Sequence, residues 1–550
     1  MPAADDRLDS WKEIAAYLGR EVRTVQLWEK SEGLPIHRQQ HSRQGSVYAF
    51  KSELDAWRDA RKSAPVEKPD RRSPWLMIGI IAAAIVLIAA GWFFLRRPAE
   101  PLSSVVVLPF VDFSPQHDQE YFSDGLTEEI IDALSRLSNL RVVARTSAFS
   151  FKGRNNDIRE IGKQLNVSTV LEGSVRKDGD KLRITAQLNR ASDGTHLWSR
   201  TYDRQLRDVF AVQREISQAI ADQLRAGEIP AHTAPRDLEA WRLYQEGRYF
   251  FNQFQLPESN LKAIERYKQA IQRDPAFALA YAGLADAYAY LAENFVVAPR
   301  EVMPKAKAAA EKAVELDPNS AEAHTSLGAV KLDYDWDVDA AQRELRRALE
   351  INPGFGWARH WYAHSLEAQS RVEDAMKEMQ AALALDPLNV PISWDYGNEL
   401  VVLGRYDEAE QHLKKADELF PNVPVIGFMR IEGFVRAGKI AEAEAVLASM
   451  KKNSREEMQA PFFVAFSATV DAEAGRRDQA RKVLAQLEEL RKKTYVEPFS
   501  VVELCAALGD EKSLALWRKR MEEERSTLYL YQPVFEKTYI KMVLDRAKKH

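Results

Sequence analysis

Four patterns of apolar and polar positions divide the chain. Between residues 9 and 62 short amphipathic stretches alternate with turns. Ser10 caps WKEIAAYL, and Glu13, three positions on, completes a capping box. Ile14, Tyr17 and Leu18 form the apolar stripe of that helix, and Gly19 ends it. A second helix is predicted over Val22–Ser31, with Val25 and Trp28 inward and Arg23, Gln26 and Lys30 outward. Pro35 starts an extended stretch, Gly45–Ser46 permit a turn, and Val47–Phe50 return as a strand, a ribbon closed by a third helix over Ser52–Arg61. Residues 75–95 form an uninterrupted apolar run. From 102 to 226 short strands alternate with helices, and from about 236 onward the pattern is helical and periodic.

The run WLMIGIIAAAIVLIAAGWFFL is 21 residues without a charge. At ~1.5 Å per residue it is long enough to cross ~30 Å of hydrocarbon, and it predicts a transmembrane helix over 75–95. Trp75 and Trp92 sit near its ends, where amphipathic rings favour the interface. The 20 residues before it carry six Lys/Arg and the 20 after it carry two, which predicts a cytoplasmic N-terminus and a periplasmic C-terminus in a bacterial inner membrane. Gly79 and Ala83, four apart, could bring two such helices together as a homodimer.

In the head, a short helix, a tight turn with Gly and a second helix with polar groups at its start make a helix-turn-helix pattern, and the ribbon adds a wing. WKEIAAYLGREVRTVQLWEKSEGLP…VYAFKSELDAW resembles the winged helix-turn-helix heads of MerR-like and excisionase-like proteins. The resemblance implies a recognition helix in the major groove and a wing on phosphate. Carried over, Arg23, Thr24, Gln26 and Lys30 are the groove candidates, with Arg20 beside them, and Arg38 and Arg43 are the wing candidates. Residues 20–51 hold six Lys/Arg and three acids, a local charge of +3. One head should therefore bind DNA weakly, and heads on neighbouring half-sites are expected. The alternative is a head that serves as a protein adaptor.

In the middle region, Ser104–Phe110 reads as a strand buried on both faces. SDGLTEEIIDALSRL and DIREIGKQLN read as helices, LRVVAR as a strand, and STVLEGSVRKDGDKLRITAQLNRASDGTHLWSRTYDR as three strands joined by turns at 177–180 and 192–194. Val209–Leu224 closes an α/β domain. The strings VVVLPF, YFSDGLTEEI, RVVARTS, LEGSVR and DGTHLWSRTYDR resemble the TolB N-terminal-like (FlgO-like) domain, which occurs in transmembrane regulators and in some proteins named as adenylate cyclases. Asp124, Glu128 and Glu129 invite an acid/base reading, but placed at a helix start they are expected to cap it and complement its dipole. His196 and Trp198 are expected on the sheet surface and in the core.

Farther on, X-Pro pairs recur at 274–275, 317–318, 352–353, 386–387 and 420–421, and the last three intervals are 35, 34 and 34. Aligned on them, Ala329, Ala363 and Gly397, then Ala341, Ala375 and Ala409, then Ala348, Ala382 and Ala416 occupy positions where two helices must touch. Turns recur at Leu403–Gly404–Arg405, Ala437–Gly438–Lys439 and Ala474–Gly475–Arg476. This resembles tetratricopeptide repeats, some seven hairpins over about 240–490 with a C-terminal cap, and implies a concave groove for a protein or peptide. The first interval, 43, implies an insertion around 295–302. Repeat geometry turns Tyr334, Trp357, His360, His364, Trp394 and Asn398 into the groove. His360 and His364 are spaced as i and i+4, but no third ligand lies nearby in sequence, so no metal is assigned.

Composition changes little: 45% apolar, 29% charged and a net charge of −4 exclude wholesale disorder and a generally basic nucleic-acid coat. One cysteine, Cys505, excludes an intrachain disulfide and a Cys-rich metal knuckle. The expectation is a multidomain chain. A small winged helix-turn-helix occupies 1–64, a linker 65–74, one transmembrane helix 75–95, an α/β TolB-like domain 102–226 and an all-α tetratricopeptide solenoid 236–550. It is expected to be a membrane-bound one-component transcription regulator, non-enzymatic and without a cofactor. Its expected partners are DNA at the head, the membrane through 75–95, and a protein or peptide in the groove. An envelope scaffold whose head does not bind DNA is the alternative.

Overall fold

The computed structural model describes residues 6–39, 46–62, 104–115, 120–154, 156–230, 237–252, 257–421, 423–453, 457–542 and 544. They fall into two units, within 1–97 and 98–550. Among the described residues no helix is long and apolar enough to cross a membrane. This corrects the expected fold class, with its transmembrane helix, and the expected inner-membrane location. Trp75–Leu95, on which both rested, lie outside the described residues.

The first unit contains β1 (Arg7–Leu8), α1 (Trp11–Leu18), α2 (Val22–Glu32), β2 (His37–Gln39), β3 (Ser46–Phe50) and α3 (Lys51–Lys62). Ser10 Oγ accepts from the Glu13 amide at 3.2 Å. Glu13 reaches back one residue farther than a capping box requires, to the Asp9 amide at 2.9 Å. Gly19 ends α1 at φ 64, a left-handed conformation that its missing Cβ permits. β2 and β3 form the predicted ribbon, in the register His37↔Tyr48 to Gln39↔Ser46. A third strand, β1, adds antiparallel to β3 and was not evident in the sequence pattern. Ile14, Val25, Leu34, Ala49 and Leu54 form the core, with Trp28 and Trp57 packed on it.

The second unit opens with an α/β domain. Its sheet has the order β6-β4-β7-β8-β9, formed by β4 (Ser104–Val107), β6 (Arg141–Val142), β7 (Thr169–Asp178), β8 (Lys181–Arg190) and β9 (His196–Gln205). The first three are parallel and the last three an antiparallel meander. The run SVVVLPF does not stay one strand. The Leu108 amide still donates to the Leu171 carbonyl at 2.8 Å, but the Phe110 amide donates to Thr127 Oγ1 at 3.0 Å instead of to the ladder, so pairing with β7 stops at Val107↔Leu171 and resumes at Val111↔Ser174 in β5 (Val111–Asp112), with one residue looped out. Helices α4 (Glu120–Ser135), α5 (Arg145–Phe149), α6 (Ile158–Leu165) and α7 (Val209–Gln223) complete the domain.

Among the described residues helical hairpins follow from Leu238 onward: seven through Leu490, then one more from Pro498 to Glu523. The aligned small positions are buried as the repeat requires: Ala363, Ala341, Ala375, Ala348 and Ala382 are each 0% exposed. A Cβ on Gly397 would come 2.4 Å from Leu413. Gly404, Gly438 and Gly475 take positive φ at the predicted turns. The extra residues of the long first interval lengthen the two helices on either side of 294–298. The hairpin Ala278–Glu293/Pro299–Leu316 has helices of 16 and 18 residues where Gly356–Glu367/Val372–Leu385 has 12 and 14, about one extra turn in each.

The α/β domain and the solenoid share one apolar core, from Val105 to Leu388. Trp241 of the first repeat helix packs edge-on against Phe122 and Phe210 of the α/β domain. Two X-Pro turns of successive repeats also dock there. Asn352 donates to Ser135 Oγ at 2.9 Å, and the Gly354 amide donates to the Ser135 carbonyl at 3.2 Å. One repeat later, Asp386 Oδ1 accepts from the Ser147 hydroxyl at 2.6 Å and the Ser147 amide at 3.0 Å.

Candidate functional site

The solvent face of α2 carries the candidate nucleic-acid interface. Arg23, Leu27 and Lys30 follow at i, i+4 and i+7 and are all exposed, so they form one row. Arg20, in the turn before α2, is also exposed, and Thr24 and Gln26 are half-buried on the flanks of the row. Arg20, Arg23 and Lys30 form no ion pair with an acid among the described residues. Four other arginines of the head are engaged. Arg38 in β2 pairs with Glu29 of α2 at 2.6 Å, which ties the ribbon to the helix. Arg61 pairs with Glu32, Arg7 with Asp9 at 2.6 Å and Arg58 with Asp55 at 2.7 Å. Arg43 and the ribbon tip at 40–45 lie outside the described residues. Leu27, 60% exposed, was passed over in the sequence because an apolar residue on a polar face carries no charge signal.

The three carboxyls singled out in the middle domain are not at a helix start. The described part of α4 begins at Glu120, so Asp124, Glu128 and Glu129 lie at least about one to two and a half turns inside it. Asp124 binds Lys152 at 2.6 Å. Glu128 pairs with Arg145 and, at 3.3 Å, with Arg248 of the first repeat helix. Glu129 accepts from Trp241 Nε1 at 3.3 Å, and burial together with the nearby Asp132 pushes its carboxyl up to about 7. Two of the three therefore join the domain to the solenoid. His196 is exposed, with Nε2 3.1 Å from the Trp198 carbonyl.

In the solenoid, Tyr334, Trp357, His364, Trp394 and Asn398 are half-buried and His360 is buried. The chain's own C-terminal segment contacts two of them, Tyr334 and His364, and the neighbouring Trp336. Tyr529 stacks on Trp336 at 4.0 Å between ring centroids. Arg525 lies over Trp336 at 4.3 Å and donates to the Tyr334 carbonyl at 3.3 Å. Tyr531 approaches His364 edge-on at 5.8 Å. Farther along, Arg436 donates to Thr538 at 3.2 Å and lies 5.0 Å from the Tyr539 ring. Across the interior, Phe295 of the second hairpin stacks on Phe462 of the seventh at 4.8 Å.

Comparison with known proteins divides along the same lines. Residues 102–219, read above as TolB-like, match the family described as HilA/YgeH-like transcriptional regulator, second domain. Residues 337–395 match the tetratricopeptide repeat family. A Rhizobium meliloti (strain 1021) protein that carries the provisional name adenylate cyclase 3 is 36% identical over 254 residues, 45% of this chain and 43% of its own length. The transcriptional regulator HilA of Salmonella typhimurium is 23% identical over 305 residues, 53% of this chain and 52% of its own. The chain thus spans about half the length of the curated relatives it matches. Among solved structures, one from a functional characterization of Pseudomonas aeruginosa pilF is 22% identical, covering 43% of this chain and 99% of that one, with a TM-score of 0.31. A human IFIT1 dimer structure is 14% identical, covering 62% and 76%, with a TM-score of 0.42.

Proposed function

We propose that this chain is a non-enzymatic transcription regulator whose head binds DNA and whose C-terminal unit receives a protein segment. The observation that carries the reading is the row Arg23–Leu27–Lys30 on the solvent face of the second helix of a winged helix-turn-helix, with Arg20 beside it. In that fold the second helix enters the major groove. Arg23, Thr24 and Gln26, at its N-terminal end, then read base edges, and Leu27 offers an apolar contact for a thymine methyl. Arg20 and Lys30 neutralise phosphate, and Arg38 and Arg43 serve the wing on the neighbouring backbone.

The HilA-like second domain and the name of the Salmonella relative support regulation as the setting. The repeats support a protein partner. Because Arg525, Tyr529 and Tyr531 already cover interior aromatics, a partner segment competes with the chain's own C-terminus for that surface. The few unpaired cations of one head make few phosphate contacts, so tight binding needs two heads on adjacent half-sites.

The test is a gel shift of the full chain on DNA from upstream of its own gene, at moderate salt and across a salt series. Arg23→Ala should cost about 1–3 kcal/mol and relax base preference at one position. Lys30→Ala should weaken all sequences alike and reduce the salt slope by about 1. Wild-type binding no tighter than to unrelated DNA would overturn the regulator reading and favour a head that serves as a protein adaptor.

A further inference from the structure

One cluster in the solenoid interior, which includes the groove residues His360 and His364, offers a further chemistry. His360 and His364 lie one turn apart on the helix Gly356–Glu367, which places both rings on one face. Asp395 comes from Val390–Val402, the first helix of the next repeat, 31 positions beyond His364. His360 Nε2 is 2.7 Å from Asp395 Oδ2. His364 Nε2 is 3.3 Å from the same oxygen and 3.2 Å from His360 Nε2.

Protons alone leave one edge of this triangle without a bond. Each Nε2 is either a donor or an acceptor. If both donate to Asp395 Oδ2, one oxygen takes both protons and the 3.2 Å edge between the two nitrogens carries no bond. If His360 instead accepts from His364, its bare nitrogen lies 2.7 Å from a carboxylate oxygen. A cation equidistant from the three atoms satisfies every edge at once. Tetrahedral Zn2+, with ligands at about 2.0–2.1 Å, spaces its donor atoms about 3.3 Å apart. Two edges are close to that length, and the third, at 2.7 Å, needs to open by about 0.6 Å.

The surroundings fit the same occupant. Glu367 Oε2 lies 3.5 Å from His364 Nδ1, where an acceptor would orient a ligating imidazole. Trp357 stacks on the His360 ring at 4.6 Å and holds its plane. Glu399, one turn beyond Asp395, is 1% exposed, and neither carboxyl oxygen has a hydrogen-bond partner among the described residues. Two imidazoles and one carboxylate suit a borderline ion such as Zn2+ over Mg2+ or Ca2+, which take oxygen ligands.

We propose that His360, His364 and Asp395 bind one Zn2+-class transition-metal ion that joins the fourth and fifth helical hairpins.

The experiment uses the full chain, stripped with a chelator and titrated with Zn2+ alone, with Co2+ as a spectroscopic probe and with Mg2+ and Ca2+ as controls. The expected result is one Zn2+ per chain at this site, a tetrahedral Co2+ spectrum, and a thermal midpoint raised by Zn2+. His364→Gln and Asp395→Asn should each weaken that binding by more than the about 10–100-fold lost with an outer-shell partner, and should abolish the thermal shift. Circular dichroism establishes that each variant is folded; if one is not, the wild-type titration and the other variant decide. No stoichiometric Zn2+ binding, equal binding of Mg2+ or Ca2+, or Zn2+ binding unchanged in a folded variant would each overturn the proposal. None of these readouts involves DNA, so the regulator reading stands or falls separately.

Discussion

Ser147→Ala tests how firmly the α/β domain is built into the solenoid. Ser147 is 0% exposed and 239 residues from Asp386, so its contacts join parts of the chain that are far apart in sequence. Its hydroxyl donates to Asp386 Oδ1 at 2.6 Å and accepts from the Leu388 amide at 2.7 Å. Alanine removes a hydrogen bond to a charged group, about 1.5–3 kcal/mol, and leaves a buried amide unpaired, about 1–3 kcal/mol. Asp386 keeps the Ser147 amide at 3.0 Å and Asn389 Nδ2 at 2.8 Å, so the carboxylate is not orphaned. The net loss should be about 3 kcal/mol. The assay is urea unfolding of the full chain, following the transition of the C-terminal unit by circular dichroism. Asp386→Ala and the double variant complete a thermodynamic cycle, in which a coupling of about 1.5–3 kcal/mol is expected. A coupling below about 0.5 kcal/mol would mean that the two sides do not depend on each other, and the shared-core description would fail.

Other expectations follow from the same interface and from the interior. A Cβ on Gly354 would lie 2.6 Å from the Ser135 carbonyl oxygen, a backbone atom that cannot swing aside, so Gly354→Ala should cost at least about 1–3 kcal/mol in the same urea assay. Glu129 titrates near 7 in the fold against an ordinary 4.5, so the folded chain holds a proton that the unfolded chain releases between those values. Its contribution is full below about 4.5 and lost as pH rises toward 7; Glu129→Gln should flatten that part of the stability profile, and an unchanged slope would refute the assignment. Tyr529→Ala removes the ring stacked on Trp336, and iodide should then quench tryptophan emission more strongly than in the wild type.

Much of the local structure was legible because its causes are short-range. Ser10 and Gly19 bound α1 through groups within a few positions of each other. The 34-residue spacing of Ala341, Ala375 and Ala409 records the same helix–helix contact made again in each hairpin. The face of α2 that holds Arg23 and Lys30 follows from Val25 and Trp28 turning inward. Elsewhere the local pattern admitted two outcomes. Nine extra residues could have formed a loop or lengthened two helices, and helical periodicity alone did not distinguish them. Asp124, Glu128 and Glu129 suited a helix start until the described part of α4 proved to begin at Glu120.

What the sequence by itself determined is therefore the set of parts: a winged head, a mixed sheet domain and a stack of helical hairpins, each declared by patterns of a few to 34 residues. Tertiary structure decided how the C-terminal parts meet. Asn352 and Asp386 occupy ordinary X-Pro turns in the repeat, and only the packing of the α/β domain makes them buried partners of Ser135 and Ser147. Asp395 reaches His360 and His364 because successive hairpins stack with their first helices side by side. Tyr529 and Tyr531 reach the interior because the solenoid curves far enough to bring Phe295 against Phe462. Such contacts depend on small rotations accumulated over many repeats, and no window of local sequence encodes that sum.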